Sequence, residues 1–249
     1  LRYFIAFSYF GKSYHGWQNQ PNAITVQEVL EDALSKLLRS AIVVVGAGRT
    51  DAGVHAKTMM AHFDFEKEID LQDLVFRTNA FLPDDIAVTE IFPVHEEAHA
   101  RFDATERTYE YWITQKKNPF YYDRAHYVKQ ALAIDKMNSA AQLLLEHQDF
   151  ECFSKSNTDV RTYVCDVRKA IWTQENDILV FTISADRFLR NMVRAIVGTL
   201  LNVGYGKWSL DDVQGILKSK DRTKAGASVP AKGLYLTNID YPKTISKHE

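Results

Sequence analysis

Ile42-Val43-Val44-Val45-Gly46-Ala47-Gly48-Arg49-Thr50-Asp51-Ala52-Gly53 runs from an apolar stretch straight into the densest glycine loop of the chain. The four apolar residues read as a short buried strand, and the loop that ends it presents one carboxylate, Asp51. Glycine lets backbone reach positive φ and lets a bulky partner approach closely. A carboxylate offered at such a place serves as a nucleophile or a general base. The same residues also suit a tight turn with an Asp cap, so the pattern alone leaves both readings open. Two phosphate-loop readings fail, because the segment has neither the Gly-Lys-Ser/Thr ending of a Walker loop nor the G-x-G-x-x-G spacing of a dinucleotide fold. A metal reading would use Asp51, His55, His62 and Asp64, the last two on one face of a strand. One Asp and scattered histidines do not make a two-metal carboxylate cage.

Outward from this loop, residues 1–10 alternate as a strand and 11–24 read as a loop of Gly, Pro and polar residues. Thr25 and Glu28 form a capping box ahead of Val26, Val29, Leu30, Ala33, Leu34, Leu37 and Leu38, the stripe of an amphipathic helix. Met59 to Phe65 returns as a strand, Asp70 caps a helix with Leu71, Leu74 and Val75, and Ile86 to Val94 is a strand. The polar stretch His95 to Thr105 reads as a crossing between halves. After it come a strand from Arg107 to Thr114, a helix from Asp135 to His147, and two paired strands, Val164 to Trp172 and Ile178 to Ala185, around Asn176-Asp177. Leu189 to Leu200 carries a strong helical stripe, Ser209 with Asp212 caps another helix, and Gly233 to Tyr241 is a strand. Strands interleaved with helices twice over predict an α+β fold of two similar halves, 1–103 and 104–249. Their sheets should be mixed and mostly antiparallel, flanked by helices. A cleft between the halves is the natural place for a site.

At 249 residues and 46% hydrophobic, the chain is large enough for a real core. No apolar run reaches the length of a membrane span, and the N-terminal residues do not read as a signal peptide. Cys152 and Cys165 stand outside any Cys-x-x-Cys pair, which argues against a zinc site or a disulfide framework and for two free thiols in a reducing cytoplasm. The net charge of −2 says little about nucleic acid, but its distribution is uneven. Residues 1–100 hold 8 basic and 14 acidic residues, and residues 101–249 hold 22 and 18. The second part is the better candidate for a phosphate-facing surface.

The stretch from Gly46 to Ala56 closely resembles the active-site motif of the TruA family of tRNA pseudouridine synthases. Four further patterns resemble the family in the right order: Gly16-Trp17-Gln18 with Thr25-Val26-Gln27; Ala100-Arg101-Phe102-Asp103-Ala104-Thr105 with Tyr109-Glu110-Tyr111; Asn191-Met192-Val193-Arg194 with Ile196-Val197-Gly198; and Gly233-Leu234-Tyr235-Leu236. The family usually has Tyr-Asp-Gly where this chain has Tyr9-Phe10-Gly11, and no function is carried onto residues 149–163, which match loosely.

The resemblance implies a pseudouridine synthase fold and an isomerase that turns uridine into pseudouridine in the tRNA anticodon stem-loop, at positions 38, 39 and 40. It implies no cofactor and no metal, and a homodimer that holds one tRNA across both subunits. It implies Asp51 as the nucleophile. Apolar surroundings favour the neutral acid, so a cation must hold such a group charged; the resemblance makes Arg194 that cation, and Arg190 is expected on the same helix face. Tyr109 matches the active-site tyrosine that stacks on the base and shares in proton transfer. Tyr109 and Tyr111 are expected to divide cleft and core between them. Leu234 would wall the base from the other side, and Arg49 would extrude the base or hold a phosphate. Arg101, Arg107, Lys116, Lys117, Arg187 and Arg190 are candidate phosphate contacts. Two rivals stand beside this reading: a non-catalytic RNA-binding module, and a metal-dependent hydrolase built on Asp51 and the nearby histidines.

Overall fold

In the computed structural model, which describes residues 1–155 and 160–246, the alternating run at the start of the chain forms β1 (Arg2–Tyr9). Thr25 caps α1 (Val26–Leu38) by accepting a hydrogen bond from the Glu28 amide, and its own hydroxyl donates to Asn19 Oδ1 at 2.8 Å. Val26, Leu30, Ala33 and Leu34 are the buried stripe of that helix. The expected strand over 42–45 is not what forms. Only β2 (Val45–Gly46) pairs, and Val43 is 71% exposed. The reason is local: Glu31 Oε1 accepts the Val44 amide at 2.8 Å and Gln27 Nε2 donates to the Val44 carbonyl at 2.9 Å. Helix side chains thus satisfy the backbone that a sheet neighbour would have satisfied. β3 (His55–Asp64), α2 (Leu71–Phe81) and β4 (Ile86–Val94) follow, with Asp70 accepting from the Asp73 amide as the cap of α2.

The chain divides into two compact units, one of residues Leu1–Thr105 with Tyr235–Glu249 and one of Glu106–Leu234. In the first unit β1 is the central strand. It pairs antiparallel with β3, Phe4 opposite His62, and antiparallel with β4, Ile5 opposite Ile91. Phe4, Ile5, Phe7, Met59 and Phe63 are among its fully buried side chains. α2 packs on β4 and against α1.

The second unit is built on β5 (Glu106–Thr114), β6 (His126–Tyr127), α3 (Ile134–Gln142), β7 (Val167–Glu175), β8 (Ile178–Ala185), α4 (Met192–Gly204) and α5 (Leu210–Ser219). β8 pairs antiparallel with β5 and with β7, and the β7–β8 turn holds Asn176 at φ 54°. β6 runs parallel to the end of β5. α3 ends five residues before the expected His147, because Leu143, Leu144 and Leu145 donate to carbonyls only three residues back and the helix tightens into turns. In α4 only Arg194 and Asn202 escape burial, so this helix is apolar nearly all round and forms the centre of the unit. Ser209 and Asp212 make the full reciprocal capping box at α5.

β9 (Leu234–Asp240) returns to the first unit, where His55 and Ala56 of β3 pair in parallel with Tyr235 and Leu236. Residues 235–246, read from sequence with the second half, therefore pack with the first. Such a pairing joins residues some 180 positions apart and leaves no local mark in the sequence. The fold is α+β, with mostly antiparallel strands and five helices among the described residues. None of these helices is long and apolar enough to cross a membrane. Cys152 and Cys165 are free and buried, and burial pushes both thiols up to about 12.

Candidate active site

The loop between β2 and β3 is tied down on several sides. The Ala47 amide donates to Met60 O at 2.8 Å, and the Val54 amide closes a turn on Asp51 O at 3.1 Å. The segment before α1 reaches across to it: Trp17 N donates to Thr50 O, and Gly53 N donates to Tyr14 O, both at 3.3 Å. Tyr9 and Thr50 share a hydroxyl–hydroxyl bond at 2.8 Å. Gly16 sits at φ +89°, and a Cβ there would lie 2.3 Å from Thr50 O, so no other residue allows this approach. Thr50 is buried, Arg49 and Ala52 are exposed, and Asp51 lies between, half-buried. The loop therefore presents its carboxylate from a braced backbone.

His55 opens β3 directly after this loop. Its Nδ1 accepts the Gly11 amide at 2.9 Å, and its ring stacks on Phe10 with centroids 4.2 Å apart and 9° between planes. Tyr235 of β9 covers it from 4.7 Å. Phe10 stands where the TruA pattern has an acid, and here that position serves to pack the base of the loop.

The remaining expected site residues belong to the second unit. Tyr109 lies on β5, half-buried, with Phe188 edge-on to its ring at 5.1 Å. Tyr111 is fully buried and donates to Pro230 O at 2.8 Å. Residues two apart on a strand share a face, so the two tyrosines differ by depth along the strand and not by face, contrary to the expected split. Arg194, on α4, is half-buried and donates from Nε to Val229 O at 2.8 Å, while its own carbonyl accepts the Val229 amide at 3.2 Å. Burial pushes the Tyr111 hydroxyl far up, and the Arg194 charge pulls it partly back. Arg190 does not share the helix face of Arg194: it lies in the turn before α4, where Asn191 takes a left-handed φ of 67° and starts the helix late. Leu234 is buried at the start of β9. Arg49 and Asp51 are thus brought together on one loop, and Arg194 and Tyr111 around the 229–230 backbone.

A profile of tRNA pseudouridine synthases matches residues 5–103 and 140–242. The chain belongs to the tRNA pseudouridine synthase family. It is 54% identical over 245 residues to the tRNA pseudouridine synthase A of Parabacteroides distasonis, covering 98% of this chain and 97% of that one. The same-named protein of Bacteroides fragilis is 52% identical over 246 residues, 98% of each chain. That of Thermoanaerobacter pseudethanolicus is 41% identical over 239 residues, 95% of this chain and 98% of its own. As a tRNA pseudouridine synthase the chain is an isomerase that converts uridine to pseudouridine, and neither rival reading is favoured by these relatives.

The histidines of the hydrolase reading have structural work in this synthase. His55 packs the loop base as described. His62 Nδ1 accepts the Ala100 amide at 3.1 Å, and Asp64 holds Arg2 through two bonds of 2.8 Å. Among the described residues no group of three or more His, Cys, Asp or Glu is placed to hold a metal ion. What sequence reasoning missed is the support: Tyr9, Gly11, Gly16 and Trp17 brace the Asp51 loop from a distant segment. The signal was present as a glycine-spaced aromatic stretch ahead of α1, facing a second glycine loop.

His62 also makes the synthase acid-sensitive. Burial, then the nearby charges of Arg2 and His99, lower its pKa to about 4. The folded chain keeps this imidazole neutral, while the unfolded chain binds a proton below about 6.5. Stability is therefore full above pH 6.5 and falls as pH drops toward 4, by at most about 1.4 kcal/mol per pH unit from this group. Urea midpoints measured from pH 7 to 4.5 should fall less in His62→Asn, whose amide oxygen still accepts the Ala100 amide. Parallel declines in both proteins would assign the acid sensitivity elsewhere.

Proposed function

We propose that this isomerase acts on uridines of the tRNA anticodon stem-loop, at positions 38, 39 and 40, as a cytoplasmic homodimer, with Asp51 as nucleophile, Arg194 as its counter-cation, Tyr109 and Leu234 against the uracil, and Arg49 guiding the base out of its stack. The observation that carries the assignment is the presentation of Asp51, half-buried on a loop whose backbone is bonded to two other segments. Preorganisation of this kind is what a nucleophile needs, because a small displacement from the reactive geometry costs much of the rate. The anchoring of Arg194 Nε on Val229 O supports its role, since a tethered guanidinium keeps its charge in one place. Half-burial of Tyr109, one turn of the strand pleat from a fully buried Tyr111, suits a ring that meets a base.

In the reaction the bond from the uracil ring nitrogen N1 to C1′ breaks, the base turns, C5 bonds to C1′, the C5 proton leaves to solvent, and N1 takes up a proton in its place. Atoms and charge balance without an oxidant, a metal or a phosphoryl donor. The target must first leave its stack, at a cost of about a few kcal/mol that is least in loops and weak stems.

The test is release of tritium from tRNA carrying uridine labelled at carbon 5, with and without EDTA, followed by mapping of the converted positions. Release that is insensitive to EDTA and confined to the anticodon arm is expected. Conversion elsewhere in the tRNA would overturn the substrate assignment. Arg194→Ala should lower turnover at least tenfold while tRNA affinity changes less than threefold, since one lost charge contact beside the nucleophile is worth roughly 1.5–3 kcal/mol. A loss confined to affinity would move Arg194 to a phosphate-binding role.

A further inference from the structure

We propose that a cavity beside the Asp51 loop is a second nucleotide subsite, where a tRNA base flanking the target uridine stacks on Phe102 while Arg101 and Arg49 hold its phosphates; this rests on the proposed action on tRNA. The cavity, about 260 Å³, lies wholly within the first unit and is lined by Val43, Val45, Gly48, Arg49, Arg101 and Phe102 among others. Its volume falls just below that of ligand sites, which run from about 300 Å³ upward, and suits part of one nucleotide better than a larger ligand. Arg49 places it two residues from Asp51.

Three observations point to a nucleotide. Phe102 is 73% exposed yet held by a stiff turn. His99 Nδ1 accepts the amides of Arg101 and Phe102 at 3.1 and 3.3 Å, Asp103 Oδ2 accepts the His99 amide at 2.7 Å, and Ala100 is gripped by His62 through its amide and by the Tyr241 hydroxyl through its carbonyl. Burying a phenyl ring stabilises a fold. A turn braced so as to keep the ring outside forgoes that gain, and what it gains in return is a preorganised aromatic face. Secondly, the Arg101 guanidinium lies 5.6 Å from the centre of that ring. An aromatic face beside an arginine is the pairing with which single-stranded nucleic acid is bound, stacking for the base and charge for the phosphate. Thirdly, two arginines and no carboxylate line this cavity, although residues 1–105, which contain both arginines, carry 15 acidic side chains against 9 basic ones. A cation-lined hollow in an acidic segment fits a polyanion and not a second copy of the same acidic surface.

The test measures tRNA affinity and tritium release for the full-length enzyme and for Phe102→Ala, Phe102→Trp and Arg101→Ala. Phe102→Ala should weaken tRNA binding about tenfold or more, the worth of one stacked base, with the loss carried by Kd and KM and not by turnover at saturating tRNA. Phe102→Trp should restore affinity, because it restores the aromatic face. Arg101→Ala should lower the slope of log affinity against log salt by about one, and the Phe102 variants should leave that slope alone. Unchanged affinity in Phe102→Ala, or a weakened homodimer with tRNA affinity intact, would overturn the subsite. The two readouts separate the levels of inference. If the wild type releases no tritium but Phe102→Ala still loses tRNA, the catalytic reading fails and the subsite stands. If the wild type is active and Phe102→Ala equals it in affinity and KM, the subsite fails and the catalytic reading stands.

Discussion

Asp51→Ala is expected to leave no measurable tritium release from C5-labelled tRNA, a loss of at least about 10⁴-fold, while the protein stays folded and keeps its tRNA affinity within a fewfold. Removing the nucleophile of a covalent mechanism deletes a reaction path, and residual rates then come only from binding and orientation. The backbone turn of the loop should survive the change. The turn at this position is closed by the Asp51 carbonyl, which accepts the Val54 amide, and alanine keeps that carbonyl. Thr50 carries the buried contact of the loop, through its bond to the Tyr9 hydroxyl. A thermal midpoint within about 2 °C of wild type follows, since half-exposed sites away from caps and cores shift stability by about 0.5 kcal/mol. Single-turnover kinetics at saturating tRNA give the decisive comparison. Release at more than a hundredth of the wild-type rate would remove Asp51 from the role of nucleophile, and loss of activity together with unfolding would assign it to the architecture of the loop.

The second large effect is on stability. Gly198→Ala places a methyl group 1.9 Å from the Ala227 carbonyl oxygen, far inside any allowed contact, and both partners are backbone. One of them must move by more than 1 Å to relieve it. Neither side is loose. The Gly226 amide donates to Thr199 Oγ1 at 2.9 Å, Asn191 Nδ2 donates to Ser228 Oγ at 2.6 Å, and Arg222 reaches both Gly226 O and Ser228 Oγ. Overpacking in a rigid interior costs about 1–3 kcal/mol and more where backbone is the obstacle. We therefore expect a loss of about 3 kcal/mol or more, a fall of the thermal midpoint by roughly 6–12 °C for a chain of this size. The same shift moves the Val229 carbonyl that anchors Arg194, so activity should fall even below the melting range. A midpoint within 2 °C of wild type would show that the 225–229 segment is more yielding than its hydrogen bonds imply.

Much of this was legible because the decisive features were local. Thr25, Asp70 and Ser209 cap the helices they were expected to cap, since a side-chain oxygen three residues ahead of an amide is a matter of short-range geometry. The Asp51 loop was legible for the same reason, as an eleven-residue string. What failed was non-local. Val43 and Val44 look like strand residues until Glu31 and Gln27 of another element take over the backbone of Val44. Arg190 looks like part of a helix until Asn191 turns left-handed in front of it. Gly198 was visible only as part of a family pattern, and its reason, a carbonyl from a segment 29 residues downstream, appears only in three dimensions. Arg101 was expected at a phosphate, but the stiff turn that holds Phe102 beside it depends on His62 and Tyr241, which are remote in the chain.

The parallel pairing of Tyr235 and Leu236 with the first two residues of β3 sets an order of events during synthesis. When the ribosome has made residues 1–105, the sheet beneath the Asp51 loop still has an open edge, and the ring of His55 lacks the Tyr235 cover. The entire second unit must be translated before that edge is closed. A nascent chain stalled between the two pieces thus exposes an unpaired strand next to the Asp51 loop, a state suited to chaperone capture and unsuited to turnover. Competence to modify RNA arrives late, when both halves of the polypeptide already exist.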